Sequence, residues 1–143
     1  MPVIGIIIKN INAKRYAKPE RRIRVNNNTK LKEVKEQRLS ALKKKGLSVG
    51  FEFKTTYVSS MNKPLAEIII NGNVLFLDKG HKKILSEWKK SKKLPEDVNI
   101  QLVNAVLRKC LLRALDLSEE LQLPPPVALP FARKRGEETR YIG

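Results

Sequence analysis

The sequence predicts an α+β fold, because strand patterns fill much of its first half and helical patterns follow in its second half. Residues 47–57 alternate between apolar and polar side chains, and this period of two indicates a half-buried strand. β-branched residues dominate residues 3–11, and apolar residues recur at helical spacing over residues 102–121. These three segments define the fold class, and the remaining elements are placed around them.

The first predicted strand, residues 3–11, carries apolar residues on both of its faces. Such a strand is expected to lie at the centre of a sheet or to be covered on both faces. Residues 12–30 lose this pattern and contain a proline and three consecutive asparagines, so they are predicted to form an extended arm. Residues 29–45 are predicted to form a basic helix, with Thr29 as its cap and Gly46 as its stop.

A turn is predicted over residues 59–64, and two strand-like stretches follow it, residues 66–70 and 74–77. Asn71, Gly72 and Asn73 separate the two stretches. This tripeptide fits two geometries, a hairpin turn or a bulge inside one long strand, since glycine serves either purpose. The sequence leaves both geometries open.

Two helices are predicted after the strands. The first is short, with apolar residues on one face and lysines on the other, and Trp88 is interpreted as a core or interface anchor. The second opens at Pro95, which two carboxylates follow, an order that the start of a helix favours. Three prolines at residues 124–126 end it, and the apolar tail over residues 127–131 is expected to dock.

The length of 143 residues fits one domain over residues 1–131, in which residues 12–46 form the basic arm and helix as an insertion. A charged tail over residues 132–143 follows. No apolar run reaches about 18 residues, and no basic region precedes the apolar start as in a secretory signal. Cys110 is the single cysteine, so an internal disulfide is excluded. We therefore expect a cytoplasmic protein that has no membrane partner.

No arrangement typical of an enzyme occurs in the sequence, which lacks a glycine-rich phosphate loop and paired metal-ligand spacing. His81, the only histidine, is interpreted as a surface or capping residue beside lysines. Cys110 falls on the apolar stripe of the long helix and is interpreted as inert core packing. Glu119 and Glu120 are adjacent and point in different directions on a helix. We expect neither catalysis nor a cofactor or metal.

Positive charge is the clearest indication of a partner, since the formal net charge is +16. Fourteen of the thirty Lys and Arg residues lie between Lys9 and Lys45, where three glutamates oppose them. Dense like charge repels itself unless a polyanion neutralises it, although a solvated basic surface is the simpler alternative. Nucleic acid is the usual polyanion. The residues expected to contact RNA phosphates are Lys14, Arg15, Lys18, Arg21, Arg22, Arg24, Lys43, Lys44, Lys45, Arg133, Lys134 and Arg135.

Three stretches of the sequence resemble the export chaperone SecB. Residues 47–58, the turn after them and AEIIINGNVLFL at residues 66–77 are similar to the paired strands of that family, where a glycine-containing break also lies in the second strand. LPPPVALPF at residues 123–131 resembles the family's helix end and proline-rich apolar exit. The opening strand, residues 3–11, is similar in place and character.

The resemblance implies a four-stranded antiparallel sheet with helices packed on one face, with the basic arm and helix inserted after the first strand. It also implies a role in holding unfolded polypeptide in apolar grooves. Members of that family are typically acidic, whereas this chain is strongly basic. The main hypothesis is therefore an RNA-binding, ribosome-associated or ribosomal protein on a SecB-like scaffold, with rRNA and neighbouring ribosomal proteins as partners. The alternative is a SecB-like holdase for unfolded polypeptides, and a DNA-binding accessory protein is a third possibility.

Overall fold

The computed structural model describes residues 3–18, 22–39 and 43–130, and within them four strands precede two helices. The elements are β1 Val3–Arg15, β2 Ile23–Leu39, β3 Lys44–Ser59, β4 Pro64–Phe76, α1 His81–Ser91 and α2 Glu96–Glu120. All strand pairs are antiparallel, and the order across the sheet is β1-β4-β3-β2. The predicted α+β class is confirmed, and β1 and β2 are the two edges of the sheet.

Both helices pack on one face of the sheet, and the core lies between them and the two central strands. The odd-numbered residues of β3 point to this face, and Leu47, Phe51, Phe53 and Tyr57 are almost fully buried there. Trp88 anchors α1 in the same core, as the sequence predicts. The buried positions of α2 recur every four residues and so form one stripe: Val98, Leu102, Val106, Cys110, Ala114 and Ser118.

The prediction of a helix over residues 29–45 is wrong, because most of this segment belongs to β2. β2 pairs with β3 along its length, and Leu31 lies opposite Phe51. A bulge between Leu31 and Val34 shifts the alternation of side chains by one residue, and the resulting spacing imitates a helical pattern. Pairing with an apolar neighbouring strand therefore outweighs the helix propensity of the lysines and glutamates.

The predicted extended arm is also replaced by strand. β1 continues to Arg15 and β2 begins at Ile23, so residues 12–15 and 23–30 of the predicted arm belong to the two edge strands. They do not form an insertion beside the sheet. Gly46, the predicted helix stop, lies inside β3, where a Cβ atom would stand 2.6 Å from the carbonyl oxygen of Phe76. Residues 40–42 of the predicted helix lie outside the described residues.

The Asn-Gly-Asn tripeptide lies inside one continuous strand, β4, and forms no turn. Its pairing with β3 is regular, whereas β1 has a bulge between Ile8 and Asn10 directly across from it. A Cβ atom on Gly72 would lie 2.1 Å from the carbonyl oxygen of Ile7 and 3.0 Å from the Cα atom of Ile8. Glycine is therefore required here because β1 approaches closely.

α2 ends at Glu120, before the prolines that the sequence marks as its stop. Gln122 takes a left-handed conformation with φ of 55°, and its amide donates a hydrogen bond to the carbonyl of Glu119. The amide of Leu123 donates to the carbonyl of Ser118 at 2.8 Å. These two bonds form a Schellman motif, which satisfies carbonyl groups at the helix end.

The proline-rich segment after α2 docks on the sheet through its carbonyl groups. The Tyr57 hydroxyl donates a hydrogen bond to the Pro124 carbonyl at 2.7 Å, and the Asn27 side-chain amide donates to the Pro126 carbonyl at 2.8 Å. These contacts end at Pro126, before the apolar tail that is predicted to dock, and in that tail Val127 is half-buried and residues 128–130 are exposed. Leu129 is 46 % exposed, and the last residue of the predicted tail lies outside the described residues.

Cys110 lies at the centre of the α2 stripe and is fully buried, as the sequence predicts. Burial raises the pKa of its thiol to about 11, because a thiolate would lose its solvation, and nearby Lys109 offsets only part of this effect. The cysteine is therefore a small apolar core residue.

The phenol of Tyr57 gives the fold a pH-dependent stability. Burial raises the pKa of Tyr57 to about 12 from an ordinary value of 10.0. The native state keeps the proton that the unfolded chain releases, so stability is full below about pH 10 and falls as the pH rises towards 12, by on the order of 2 kcal/mol. In urea unfolding, the free energy of unfolding of Tyr57→Phe should fall less steeply with pH than that of the wild type over this range. Equal slopes for the two proteins would contradict the assignment of this pH dependence to Tyr57. Cys110, whose pKa is also raised, is present in both proteins and contributes equally to each.

Candidate functional site

The β1 edge of the sheet combines free backbone groups with exposed apolar side chains. Its outer backbone groups pair with no other strand among the described residues. Ile4, Ile7 and Ile11 are 41, 48 and 37 % exposed, and Tyr16, just beyond the strand, is 55 % exposed. Soluble proteins usually blunt such an edge with lysine, proline or a short strand, and β1 is long and rich in isoleucine.

The exposed isoleucines of β1 lie on both faces of the sheet. Ile7 lies opposite Asn73 on the open face, which we define as the face without helices, and Ile11 lies opposite Ile70 on the helix-covered face. The bulge between Ile8 and Asn10 produces this change of side. The prediction that this apolar strand is central or covered twice is therefore wrong. β1 is an edge that leaves part of its apolar surface open.

The end of β1 is held firmly against the rest of the fold. The Arg15 guanidinium donates a hydrogen bond to the Leu121 carbonyl at 3.1 Å, which ties the strand to the end of α2. The Tyr16 amide donates to the Leu65 carbonyl at 2.7 Å. The Tyr16 hydroxyl donates to the Glu67 carboxylate at 2.7 Å, and this bond raises the pKa of the phenol. The edge is preformed and needs little ordering to accept a partner.

A second exposed apolar surface lies on the outer side of α2. Ile100 and Leu112 are 50 and 69 % exposed. Leu112 borders a shallow depression of about 630 Å³ together with Leu107, Leu111 and Arg108. This surface offers apolar side chains but no free backbone groups, because a helix satisfies its own. It can contact apolar residues without fixing the backbone of a partner.

The opposite edge, β2, has a different chemistry. Arg24, Lys30 and Lys35 are exposed along it, and its bulge interrupts the regular alternation. Lysines and bulges are features that protect an edge strand from pairing with another chain. β1 also contains two bulges and the basic residues Lys9, Lys14 and Arg15, so the edges differ in degree: β1 exposes isoleucines, whereas β2 exposes mainly basic and polar side chains.

The structure separates the residues predicted to contact RNA into two groups. Lys14, Arg15, Lys18, Arg22 and Arg24 lie where β1 ends and β2 begins. Lys43, Lys44 and Lys45 lie where β3 begins, beside the other end of β2, about 50 Å away at 3.2–3.4 Å per residue. Arg21, Arg133, Lys134 and Arg135 lie outside the described residues. The charge is therefore distributed along the sheet and does not form one patch.

The structure does not bring the residues considered for catalysis together in one place. His81 is not a surface residue: its side chain is 14 % exposed, and its Nε2 atom lies 3.3 Å from the Glu36 carboxylate. Glu119 and Glu120 are exposed at the end of α2. Across residues 3–18, 22–39 and 43–130, no group of three or more His, Cys, Asp or Glu side chains is placed to hold a metal ion. No helix in this part of the chain is long and apolar enough to span a membrane.

Comparison with known proteins gives one clear structural likeness. No protein-family model matches the chain, and no curated protein matches its sequence. Among solved structures, the chain is similar to the SecB-like chaperone Rv1957 of Mycobacterium tuberculosis, solved in complex with a ChAD peptide from the HigA1 antitoxin. The TM-score is 0.62 over 92 % of this chain and 90 % of that chain, at 12 % sequence identity. The chain therefore has a SecB-like fold, as the resemblance implies.

The hypothesis of an RNA-binding or ribosomal protein is wrong. Its main support is net charge, which indicates an anionic partner but does not identify one. The comparison shows a SecB-like fold and nothing that points to RNA or to a ribosome.

Proposed function

We propose that this protein is a molecular chaperone of the holdase type, which binds unfolded polypeptide along the β1 edge. The observation that carries the proposal is the preformed β1 edge, which pairs with no other strand within residues 3–18, 22–39 and 43–130 and exposes isoleucines. The SecB-like fold supports it, since the similar chaperone Rv1957 is solved with a bound peptide. The fold favours a binding role over catalysis.

The binding mode is strand addition. An extended client segment hydrogen-bonds to the free backbone groups of β1, and these bonds do not depend on the client's sequence. Ile7 on the open face and Ile11 on the helix-covered face then favour clients with apolar side chains, because the side chains of an added strand point alternately to the two faces. A holdase needs this combination, since it must bind many unrelated unfolded chains.

The energetics favour reversible binding of a single segment. Each of the three β1 isoleucines is roughly half exposed, so complete burial gains about 1 kcal/mol apiece. Each backbone hydrogen bond adds about 1 kcal/mol, while association costs about 4 kcal/mol or more in lost freedom. A short segment is therefore held weakly, and a client is released when it begins to fold.

The β1 edge is a stronger candidate than the outer side of α2. Both surfaces expose apolar side chains, but β1 also supplies unpaired donors and acceptors. An unfolded segment has unpaired backbone groups of its own, and leaving them buried without partners costs about 1–3 kcal/mol each. Strand addition removes this penalty, whereas contact with a helix does not.

The experiment that tests the proposed function is suppression of aggregation. A chemically denatured, aggregation-prone protein is diluted into buffer with increasing amounts of the full chain, and light scattering is followed. We expect scattering to fall as the chain approaches a molar amount similar to that of the client. Unchanged scattering at a tenfold molar excess would contradict the proposed function. Lysozyme, which is also strongly basic, serves as the charge control and should not suppress aggregation.

A further inference from the structure

We propose that the open face of the sheet beside β2 is a second binding surface, which accepts an acidic polypeptide segment in extended conformation. This proposal rests on the proposed function, because the acidic segment is a second feature of the clients that the holdase binds through an apolar segment. It depends mainly on Arg22, Arg24 and Lys30 at β2 and on the turn after β3, and only its far end reaches Lys9 of β1.

The anchor of this surface is a pair of arginines where β2 begins. Arg22 and Arg24 line a depression of about 570 Å³ together with Ser60 and Asn62. The Arg24 guanidinium donates a hydrogen bond to the Asn62 side-chain oxygen, which fixes its position. Two guanidinium groups beside a hydroxyl can hold a carboxylate through paired hydrogen bonds. The depression is therefore suited to an Asp or Glu side chain or to a chain terminus.

Further basic groups continue from this anchor along β2. Lys30 lies six residues beyond Arg24, on the same face and about 20 Å away at the rise of a strand. Lys32 and Lys9 border a second depression, of about 380 Å³, whose lining also includes Glu33 and Asn71. The Glu33 side chain lies above Gly50, where a Cβ atom would stand 3.3 Å from the Glu33 Cγ atom. Arg22, Arg24 and Lys30 form a line of positive charge that leads to the second depression, where Glu33 lies beside the two lysines.

The charge along this line is only partly neutralised within the chain. Each glutamate in the described strands lies near a lysine, and the N–O distances are 3.2 Å for Lys32–Glu52, 3.6 Å for Lys35–Glu33, 3.8 Å for Lys45–Glu36 and 3.6 Å for Lys54–Glu67. Arg24 and Lys30 form no ion pair with any residue of the described part of the chain. These two groups keep their charge available for a ligand.

The shape of the surface favours polypeptide over single-stranded nucleic acid. Side chains on one face of an extended peptide repeat about every 6.6–6.8 Å, which is also the repeat of β2. Asn26 and Asn28 lie between Arg24 and Lys30 on this face and can hydrogen-bond to a peptide backbone. The aromatic side chains of β3 and β4 point into the core, so they offer no platform on which bases could stack.

The two edges of the sheet are close enough to act on one client. Four strands at 4.7–4.9 Å spacing place β1 and β2 about 14 Å apart, a gap that four or five extended residues span. A client with an acidic segment near an apolar one can therefore occupy both surfaces, and binding at one raises the effective concentration at the other. Clients of this composition should be preferred.

The test uses the full chain and a fluorescein-labelled ten-residue peptide of alternating Glu and Ser, with binding followed by fluorescence anisotropy at two salt concentrations. We expect saturable binding that weakens as salt is raised. The double variant Arg22→Gln/Arg24→Gln should bind at least about tenfold more weakly, because it removes the paired hydrogen bonds to a carboxylate. The matched control Lys89→Gln/Lys90→Gln, with the same change in charge on exposed positions of α1, should stay within about twofold.

Several results would overturn the proposal. Equal loss of peptide affinity in both double variants would show that binding depends only on the overall charge of the protein. Absence of binding at low salt would show that the surface does not bind an acidic segment. A single-stranded RNA of equal charge that displaces the peptide more readily, through the same two arginines, would assign the surface to nucleic acid instead. Circular dichroism melts confirm that each variant is folded. If Arg22→Lys/Arg24→Lys restored full binding, charge alone would suffice, and the paired-bond argument would fail.

The same assay separates this surface from the proposed function. Ile7→Lys should leave the affinity for the glutamate peptide within about twofold of the wild type or raise it slightly, because Ile7 lies on the opposite edge. A chain that binds the peptide through Arg22 and Arg24 but never suppresses aggregation would refute the holdase and leave the acidic-segment surface intact. A chain that suppresses aggregation but does not bind the peptide would support the holdase and refute the acidic-segment surface.

Discussion

Replacing Gly72 by alanine is expected to lower the free energy of unfolding by about 3 kcal/mol or more, and the melting temperature by about 10 °C. The added Cβ atom would stand 2.1 Å from the carbonyl oxygen of Ile7 and 3.0 Å from the Cα atom of Ile8. Both atoms belong to the backbone of β1, so no side-chain rotation can relieve the contact. β1 must move away from β4, and urea unfolding or calorimetry would measure the loss.

Gly5→Ala is the matched control, since Gly5 lies on the same strand pair and a Cβ atom there would meet no atom within 4 Å. The control should change stability by less than about 1 kcal/mol. If Gly72→Ala were as mild as Gly5→Ala, the close approach of β1 to β4 would not exist as described. Because the β1 edge is the proposed binding site, Gly72→Ala should also weaken chaperone activity.

Ile7→Lys is expected to abolish most of the suppression of aggregation while the fold remains intact. Ile7 is 48 % exposed on the open face, so its replacement removes little core packing. A lysine on an edge strand opposes strand addition, because its charge must stay hydrated where the client backbone would lie. We expect at least about ten times more variant protein to be needed for the same suppression, measured by light scattering.

Leu112→Lys is the matched control for this prediction. It introduces the same charge at an exposed leucine of α2 and should leave suppression within about twofold of the wild type. If Leu112→Lys abolished suppression and Ile7→Lys did not, the outer side of α2 would be the client site and the strand-addition mechanism would be wrong. Sedimentation of both variants shows whether either change alters self-association, which is a separate effect.

The parts of the fold that can be predicted from the sequence are those in which local pattern and tertiary environment agree. Alternation around Phe51 and Phe53 indicates β3, because one face of this strand is buried and the other is only partly so. The four-residue recurrence through Leu102 and Cys110 indicates α2 in the same way. β2 cannot be predicted in this way, since its bulge after Leu31 breaks the alternation and its lysines favour a helix when considered alone.

The candidate site is harder to predict, because its signal resembles that of a buried strand. A run with Ile4, Ile7 and Ile11 is typical of a central strand, and only the order of strands shows that β1 lies at an edge. The basic residues are obvious in the sequence, but their placement is not. Arg24 and Lys45 are both on charged segments of one strand pair, yet they lie near its opposite ends. The edge position of β1 and the placement of the basic residues both depend on the order of the strands in the sheet, which is a long-range property of the chain.

Amide hydrogen exchange in the presence and absence of an unfolded client is the most direct test of the central claim. The outward-facing amides of β1 have no strand partner in the described structure, so they should exchange rapidly in the chain alone and slow markedly when client is added. Amides around Leu112 on α2 should change little. Protection that appears on α2 while the β1 amides are unaffected would contradict strand addition at β1, and so would β1 amides that are already slow without client and do not respond to it.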